Sequence, residues 1–501
     1  MSSVRKCIGL CSVQIDGYFQ TEFYCAALNR AREYGWGLLT YACNSEMYTS
    51  RRYFPAEAKV FDIIDYDRID GLIILSETIK DQKTLENLIN NAKAHDVFVV
   101  CVDRAMKGCY NIQFNFIPAF EAIVRHVVEK HGCRVINVMG GLRGNEFSDD
   151  RIECCRRVMK ENGLELDEDR ILYGDFWSVP TLRAMESFFA SGMSMPDAFV
   201  CCNDTMAMAV CASLKDHGYA VPSDVIVTGF DGVLDEQFHI PRITTAKQGN
   251  AAAAEKAVDA IIANMDGKLC DNFFIVDHRI SYTHSCGFKP IDYRESTGRI
   301  QVLFDMIQES ANVDTVISEM NEAISCSSTI EEVSREIYSH ALSYKELYYC
   351  LCINENFMNI STDYSSFISP EEEPDSRSLI LCESFRGFDR PPCRADKPLM
   401  LESAIEEFGA LLYWPIHFSD MNIGYGVCTI LPEVHLSNDN GVMRNFPKFT
   451  RNINHALEIA NSQSVMKKVI KELQRLYVRD HTGLFNRRGF YNEIDRSINK
   501  V

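Results

Sequence analysis

The sequence predicts an α/β chain of several domains, and three observations predict it. Short apolar runs alternate with helix-spaced segments through the first 288 residues. One of those runs, Val97-Phe98-Val99-Val100-Cys101-Val102, is apolar without interruption. After Pro290 the pattern changes to long helical spacing and then to separate strand-like runs. Strand and helix in strict turn give parallel sheets with crossover helices, and a strand apolar on both faces needs helices on both sides of its sheet. At 501 residues the chain exceeds one ordinary core, so three or more domains are expected, and 46% hydrophobic residues suffice to fill them.

In order, Cys7 to Val13 is a strand and Thr21 to Tyr34 a helix with Phe23, Ala27, Leu28 and Ala31 on one face. Trp36 to Ala42 and Gly71 to Leu75 are strands, Lys83 to His95 a helix, Val97 to Val102 a strand, Ile117 to His131 a helix and Arg134 to Met139 a strand. Ligands of such sheets gather beyond the carboxyl ends of the strands. Polar residues stand there: Asp16, Asp103-Arg104, Asn203-Asp204 and Asp231. Plainer roles stay open. Asn203 and Asp204 suit caps of a helix starting at Thr205, Asp204 being the preferred cap; Asp231 suits a loop turn, and Trp177 a core.

Beyond Pro290, Ile300, Phe304, Ile307 and Ala311 share one helical face and Ile317, Met320 and Ile324 another; the skip near Asn312 predicts a bend or break. Thr329 to Leu342 is an amphipathic helix. Strands follow at Leu347 to Ile353, Ser378 to Cys382, Leu411 to His417 and Tyr425 to Leu431, with loops at Ser365 to Asp375 and Phe385 to Asp396. Ile459, Ser462, Met466, Val469, Leu473 and Leu476 form an a/d seam on a helix from Ala456 to Arg479. Such a seam takes a partner helix or packs on its own domain.

With 51 basic and 70 acidic residues the net charge is -19, which repels nucleic-acid phosphates and anionic lipid. Twenty cysteines lie in apolar segments without a Cys-x-x-Cys pair and read as small buried hydrophobes of a reducing compartment. No run approaches the ~20 apolar residues of a membrane helix, and no apolar leader precedes the first strand. A cytoplasmic location is expected.

Val99 to Arg104, Ser148-Asp149-Asp150-Arg151, Pro196 to Ala207, Val221 to Asp231 and Ile240 to Thr245 come in the order of the effector domain of lac/galactose repressors. This resemblance covers roughly residues 5 to 288. It implies a two-lobed, periplasmic-binding-protein-like (type I) fold, its lobes joined by three crossovers, with a sugar or nucleobase-type metabolite in the cleft. Arg151 and Asp231 match positions that bond ligand hydroxyls, and Asn203 matches the amide of the Asn-Asp motif. Asp16 and Asp103 complete the candidate set, with Trp177 covering the apolar face of a ring. A hydroxyl donates to a carboxylate and accepts from a guanidinium, so this set suits a polyol. Two departures stand out: Cys154 replaces the usual Gly three residues after Arg151, and Phe230-Asp231-Gly232 lacks a second acidic residue. The repressors carry a helix-turn-helix headpiece before this domain. Nothing similar precedes Val4, so DNA binding is not expected and the output is expected at the carboxyl end.

The middle helix and strands, with Pro415 before a polar turn and Gly424 before the last strand, are similar to GAF-type sensory domains, either binding a small molecule or serving as a dimerising spacer. Thr482-Gly483-Leu484, Asn486-Arg487-Arg488 and Phe490 resemble the entry to GGDEF domains, which condense two GTP molecules into cyclic di-GMP around a carboxylate-held metal. His481 stands where that pattern has Leu and Arg479 where it has Asp. The Gly-Gly-Asp/Glu-Glu-Phe turn is not in the sequence, which ends at Val501, so this chain is expected to be inactive as a cyclase. No catalytic residue, metal ligand or cofactor is expected in it; GTP and Mg would belong to the missing cyclase domain.

The expected organisation is a ligand-binding domain at 1–288, a helical linker at 289–326, a GAF-like α+β domain at 327–440, a signalling helix at 441–479 and the start of a GGDEF domain at 480–501. The expected function is the sensory part of a cytoplasmic diguanylate cyclase, homodimeric through its helices, with a sugar-like ligand and neither DNA nor membrane as partner. The alternatives are a freestanding ligand-binding adaptor and a repressor-type transcriptional regulator.

Overall fold

The computed structural model describes residues 5–44, 53–233, 238–268, 271–290, 293–341, 347–355, 379–418, 420–431 and 441–478, with residues 487 and 489–491. Most of the GGDEF-like stretch therefore lies outside the described residues. The amino-terminal part alternates as predicted. β1 (Cys7–Val13), α1 (Tyr18–Glu33), β2 (Gly37–Cys43), the short α2 (Phe54–Glu57), β3 (Gly71–Leu75), α3 (Gln82–Ala94), β4 (Phe98–Val102) and β5 (Tyr110–Asn115) build a first lobe on parallel strands ordered β5-β4-β3-β1-β2. Every residue of β1 and β2 is buried, as strands covered on both faces must be.

The chain then crosses to a second lobe. There α4 (Ile117–Arg125), β6 (Ile136–Gly140), α5 (Glu146–Glu161), β7 (Ile171–Tyr173), α6 (Ser178–Ala190), β8 (Ala198–Cys201), α7 (Asp204–Asp216) and β9 (Ile226–Thr228) surround a parallel sheet ordered β7-β6-β8-β9. β10 (Thr245–Lys247) leads back to α8 (Asn250–Met265), which packs on α1, and to β11 (Phe273–Asp277), which pairs with β5. β12 (Arg279–Ser281) returns to pair with β10. The chain thus crosses between lobes three times, which is the two-lobed type I architecture.

A second region follows: α9 (Tyr293–Cys326), α10 (Ile330–Ser339), β13 (Tyr348–Asn354), β14 (Leu379–Phe385), β15 (Phe388–Ala395), α11 (Leu401–Phe408), β16 (Ala410–Phe418), β17 (Met421–Thr429) and α12 (Gly441–Val478). Thr329 and Glu332 close a capping box at the start of α10. Two expectations are corrected here. α9 runs through Asn312 without a break, because no Pro or Gly stands near the skip; the skip instead changes what the helix meets. Val313, Ile317, Met320 and Ile324 are buried, whereas Ile300, Phe304 and Ile307 are 53–61% exposed. The stretch from Phe385 to Asp396 is not a loop but holds the edge strand β15, paired antiparallel with β14. Arg386 and Gly387, both at positive φ, make the tight turn between them. Pro391 and Pro392 disguised the strand, and proline is tolerated there because an edge strand leaves one row of N–H groups unused.

The two regions are not joined only by the connector. β16 pairs in parallel with β2, in the register Ala410 to Leu38, Leu411 to Leu39, Leu412 to Thr40 and Tyr413 to Tyr41. One sheet of eleven strands results, ordered β11-β5-β4-β3-β1-β2-β16-β17-β13-β14-β15. At the seam Tyr41 and Tyr413 stack at 4.7 Å and 15°. Leu38 N donates to Gly409 O at 2.7 Å, and a Cβ on Gly37 would meet that same oxygen at 3.0 Å. Above and below, Tyr24 donates to Ile430 O at 2.7 Å and Asn44 Nδ2 to Thr450 Oγ1 at 2.7 Å, while His417 faces Glu57 at 3.3 Å. Two hydrophobic cores are shared across the seam, one uniting Tyr24 and Leu38 with Trp414 and Phe446, the other Leu39 and Leu72 with Leu411 and Val427. The second lobe keeps a core of its own.

α12 buries Phe446, Phe449, Ile453, Ala456 and Leu457 but leaves Ile459, Met466 and Val469 41–60% exposed. The predicted seam from Ile459 to Val469 is therefore not covered by the described residues of its own chain, while the side chains of Leu473 and Leu476 lie outside what is described. No helix among the described residues is long and apolar enough to cross a membrane. The described cysteines are free thiols; among them only Cys326 is exposed, and burial raises thiols such as Cys202, to about 12.

Candidate functional site

The cleft between the lobes is built from strand ends, where the chain turns without a partner strand and side chains can face a ligand. On the second lobe α5 begins at an Asn145 cap, whose side chain accepts from Ser148 N, and carries Arg151 a turn and a half inward. Arg151 is 8% exposed. Its Nη1 donates to Cys202 O and its Nη2 donates to Asp231 Oδ1 at 3.0 Å. The guanidinium lies over Phe230 at 4.5 Å and Phe116 at 5.3 Å, a cation held against two aromatic faces. Arg151 Nε is buried without a hydrogen-bond partner among the described residues. Asp231 sits at a φ of 94°, bridged to Lys247, so it is a strained turn and an ion-pair partner at once.

Asn203, rather than Asp204, caps α7, which starts at Asp204. Its Oδ1 accepts from Met206 N at 2.9 Å and its Nδ2 donates to Phe176 O at 3.1 Å. Extended backbone at Asn203 (φ -150°, ψ 171°) makes it the cap, whereas Asp204 is already helical, buried, and accepts from Val233 N at 3.0 Å. Asn203 therefore ties the Phe176 loop, through Nδ2, to the start of α7, which its Oδ1 caps. Trp177, at the amino end of α6, is 65% exposed, which removes a core role for it. Phe176 is the better-placed aromatic: a Cβ on Gly141 would strike its ring at 2.1 Å, so glycine is what lets that ring lie on the β6 loop.

Asp16 and Asp103 stand on the first lobe, half-buried, beyond β1 and β4. The β3 loop ties those ends together, Thr78 Oγ1 accepting from Val13 N at 3.1 Å and Ser76 Oγ donating to Val102 O at 2.8 Å. Asp103 takes a φ of 76°, and burial, with Glu77 adding to it and Lys80 opposing, raises its carboxyl to about 6. The folded chain thus holds this proton more tightly than the unfolded chain. Stability should fall as pH rises from about 4 to about 6 and then level off. Asp103→Asn should abolish that slope and stabilise the chain at neutral pH by up to about 2–3 kcal/mol, read from urea midpoints on either side of the window.

Sequence reasoning missed Phe116, Phe230 and His278. Phe230 was inside a quoted motif, next to Asp231, but its contact with Arg151 exists only after folding. His278 lies on the third crossing, 5.2 Å from Phe230 ring to ring, with Nδ1 buried and unpartnered among the described residues; burial lowers its pKa. Nothing in its neighbourhood marks it out by spacing. Across the cleft, Lys247 Nζ meets Glu22 Oε1 of α1 at 2.9 Å, and Asn250 Nδ2 meets the other oxygen at 3.0 Å.

Fold and cleft define a two-lobed binding domain of the type I class. Residues 124–271 match the family described as periplasmic binding protein-like domain. The HTH-type transcriptional repressor PurR of Actinobacillus pleuropneumoniae is 23% identical over 268 residues, 52% of this chain and 74% of that protein. Catabolite control protein A of Staphylococcus epidermidis is 24% identical over 227 residues, 45% of this chain and 67% of that protein. Among solved structures, the Escherichia coli transcriptional repressor ascG covers 56% of this chain and 98% of its own at 18% identity and a TM-score of 0.45. A LacI family regulatory protein from Chloroflexus aggregans covers the same shares at 17% and 0.46. The amino-terminal part of this chain is thus similar to the periplasmic-binding-protein-like domains of such repressors. The expectation of no DNA partner draws no support from relatives named as HTH-type repressors.

Proposed function

We propose that this chain is a ligand-responsive regulator in which a small polar metabolite closes the second lobe onto the first. The observation that carries this is the Arg151–Asp231 pair, its guanidinium over the rings of Phe116 and Phe230, with Arg151 Nε and His278 Nδ1 buried and unpartnered among the described residues beside it. A hydroxyl-rich ligand supplies the acceptors and donors such groups lack. The first lobe shares its cores with the second region, so the second lobe is the body that moves. It leads directly into α9, whose second half is fixed in the shared core while Ile300, Phe304 and Ile307 nearer its start are exposed. Closure therefore acts on α9 as on a lever, to the extent that the ligand prefers the closed state.

As to output, the relatives favour the alternative named above, a repressor-type regulator of transcription. A second reading, control of cyclic di-GMP synthesis through a GAF-like relay, rests on Thr482 to Phe490 and on the exposed α12 seam leading into them. Both use a homodimer, and the exposed faces of α9 and α12 suit one. Ile300→Asp with Phe304→Asp should convert a dimer to monomer in sedimentation, with the helix content unchanged.

The test of the ligand reading is a thermal-shift screen of the chain against sugars, polyols and purines. A stabilising compound whose effect vanishes in Asp231→Ala supports the reading, and one indifferent to that change, or no compound at all, rejects it. For the output, enrichment of one duplex sequence from a random DNA pool supports the regulator. Absence of enrichment, with GTP turnover by the protein extended through any reading frame after Val501, supports the second reading.

A further inference from the structure

Where the chain leaves the second lobe, three side chains converge that the cleft does not use. Beyond Arg125 the helix widens into a π-turn, His126–Lys130, with His131 N donating to His126 O at 3.3 Å. In an α-helix, residues five apart are turned away from one another; the wider turn brings them into line, and such turns gather at functional positions. The rings of His126 and His131 accordingly meet at 4.7 Å and 78°, with their Nε2 atoms 3.0 Å apart. Cys286, on the turn His284–Cys286, brings its Sγ to 3.5 Å from the same His126 Nε2. The three donor atoms all lie within 4.8 Å of one another.

We propose that His126, His131 and Cys286 form a binding site for a divalent d-block cation, zinc fitting best, with solvent as fourth ligand on the exposed His131 side. An imidazole nitrogen offers one proton or one lone pair, in one direction. A His–His hydrogen bond would use that capacity, so the thiol, 3.5 Å from the same nitrogen, would have to turn to Thr283 O at 3.6 Å instead. A cation among the three satisfies all of them. Tetrahedral zinc, with bonds of ~2.0–2.1 Å to nitrogen and ~2.3 Å to sulfur, sets its ligand nitrogens ~3.4 Å apart and nitrogen and sulfur ~3.5 Å apart. Two of the separations here are 3.0 Å and 3.5 Å and the third pair lies within 4.8 Å, so a shift of the exposed His131 ring is what brings all three to those values. Imidazole and thiolate exclude magnesium and calcium, which require oxygen donors.

The surroundings behave as a supporting shell. Tyr282 stacks on His126 at 4.0 Å and 26°, fixing the ring, and Thr244 Oγ1 donates to Cys286 Sγ at 3.0 Å, as a donor to a bound thiolate does. His126 and Cys286 are buried and His131 is exposed, which leaves a route in. Cys286 stands just before α9, and Phe288 lies against His126 at 5.9 Å. An ion here would bolt the exit of the second lobe to the end of α4.

The test uses the whole chain, stripped with a chelator and titrated with cobalt(II). One equivalent should bind with a thiolate-to-cobalt charge-transfer band in the near ultraviolet, and zinc should displace it. Cys286→Ser should lose the band. His131→Ala, at a surface position where circular dichroism should be unchanged, should weaken binding about tenfold or more. Absence of the band in the unsubstituted chain, or a band and affinity indifferent to both substitutions, overturns the proposal.

Discussion

Arg151→Ala should destabilise the chain by about 2–4 kcal/mol and abolish ligand binding in the cleft. The guanidinium is nearly buried and fills three roles: donor to Cys202 O, partner to Asp231, and cation over the rings of Phe116 and Phe230. Breaking a buried pair from one side costs about 3–5 kcal/mol, because the remaining charge keeps its desolvation penalty. Asp231 is 39% exposed, so water recovers part of that cost. Arg151→Lys should fall between, keeping the charge but losing the fork and the ring contact. Urea unfolding and calorimetry with the ligand found by the screen measure both effects. A variant within about 0.5 kcal/mol of the unsubstituted chain would show that the pair does not hold the cleft.

Tyr413→Ala should cost about 3–4 kcal/mol, the range for emptying a large buried aromatic site. Tyr41→Ala should do the same, and the double variant should lose less than the sum by about 0.5–1.5 kcal/mol, the coupling of a stacked pair. The three tryptophans make the consequence visible. Trp36 lies in the first lobe, Trp414 in the second region and Trp177 in the second lobe. With the other two replaced by Phe, Trp36 and Trp414 should report one coincident transition, moved together by either tyrosine change, while Trp177 reports the second lobe's own core. Separate transitions for Trp36 and Trp414 would mean that the seam does not make one cooperative unit.

Much of the fold was legible because its cause is local. β1 and β3 occupy the predicted residues, since uninterrupted apolar runs need no partner to be identified. β15 was hidden by Pro391 and Pro392, and the continuity of α9 by a skip that changes its neighbours rather than its backbone. In the site, Arg151 and Asp231 were visible from their motifs, and the structure brings them together. Asn203 was visible too, but its amide is engaged by the chain. His278 and the two rings against Arg151 depend on which loops meet across three crossings, which no single stretch encodes. The pairing of β2 with β16 is of the same kind: some 370 residues separate Thr40 from Leu412, and β2 reads only as an apolar strand.

That pairing bears on how the gene can be cut. A chain ending at Phe288 would hold every motif of the binding unit, yet it would carry β2 with one side of its backbone bare and Tyr41 facing water. Raw strand borders recruit other strands, their own copies first. Such a fragment should stick to itself, and its failure to behave would say nothing against the cleft. The eleven strands are a single woven cloth, and scissors placed at a motif boundary would leave it fraying down the middle.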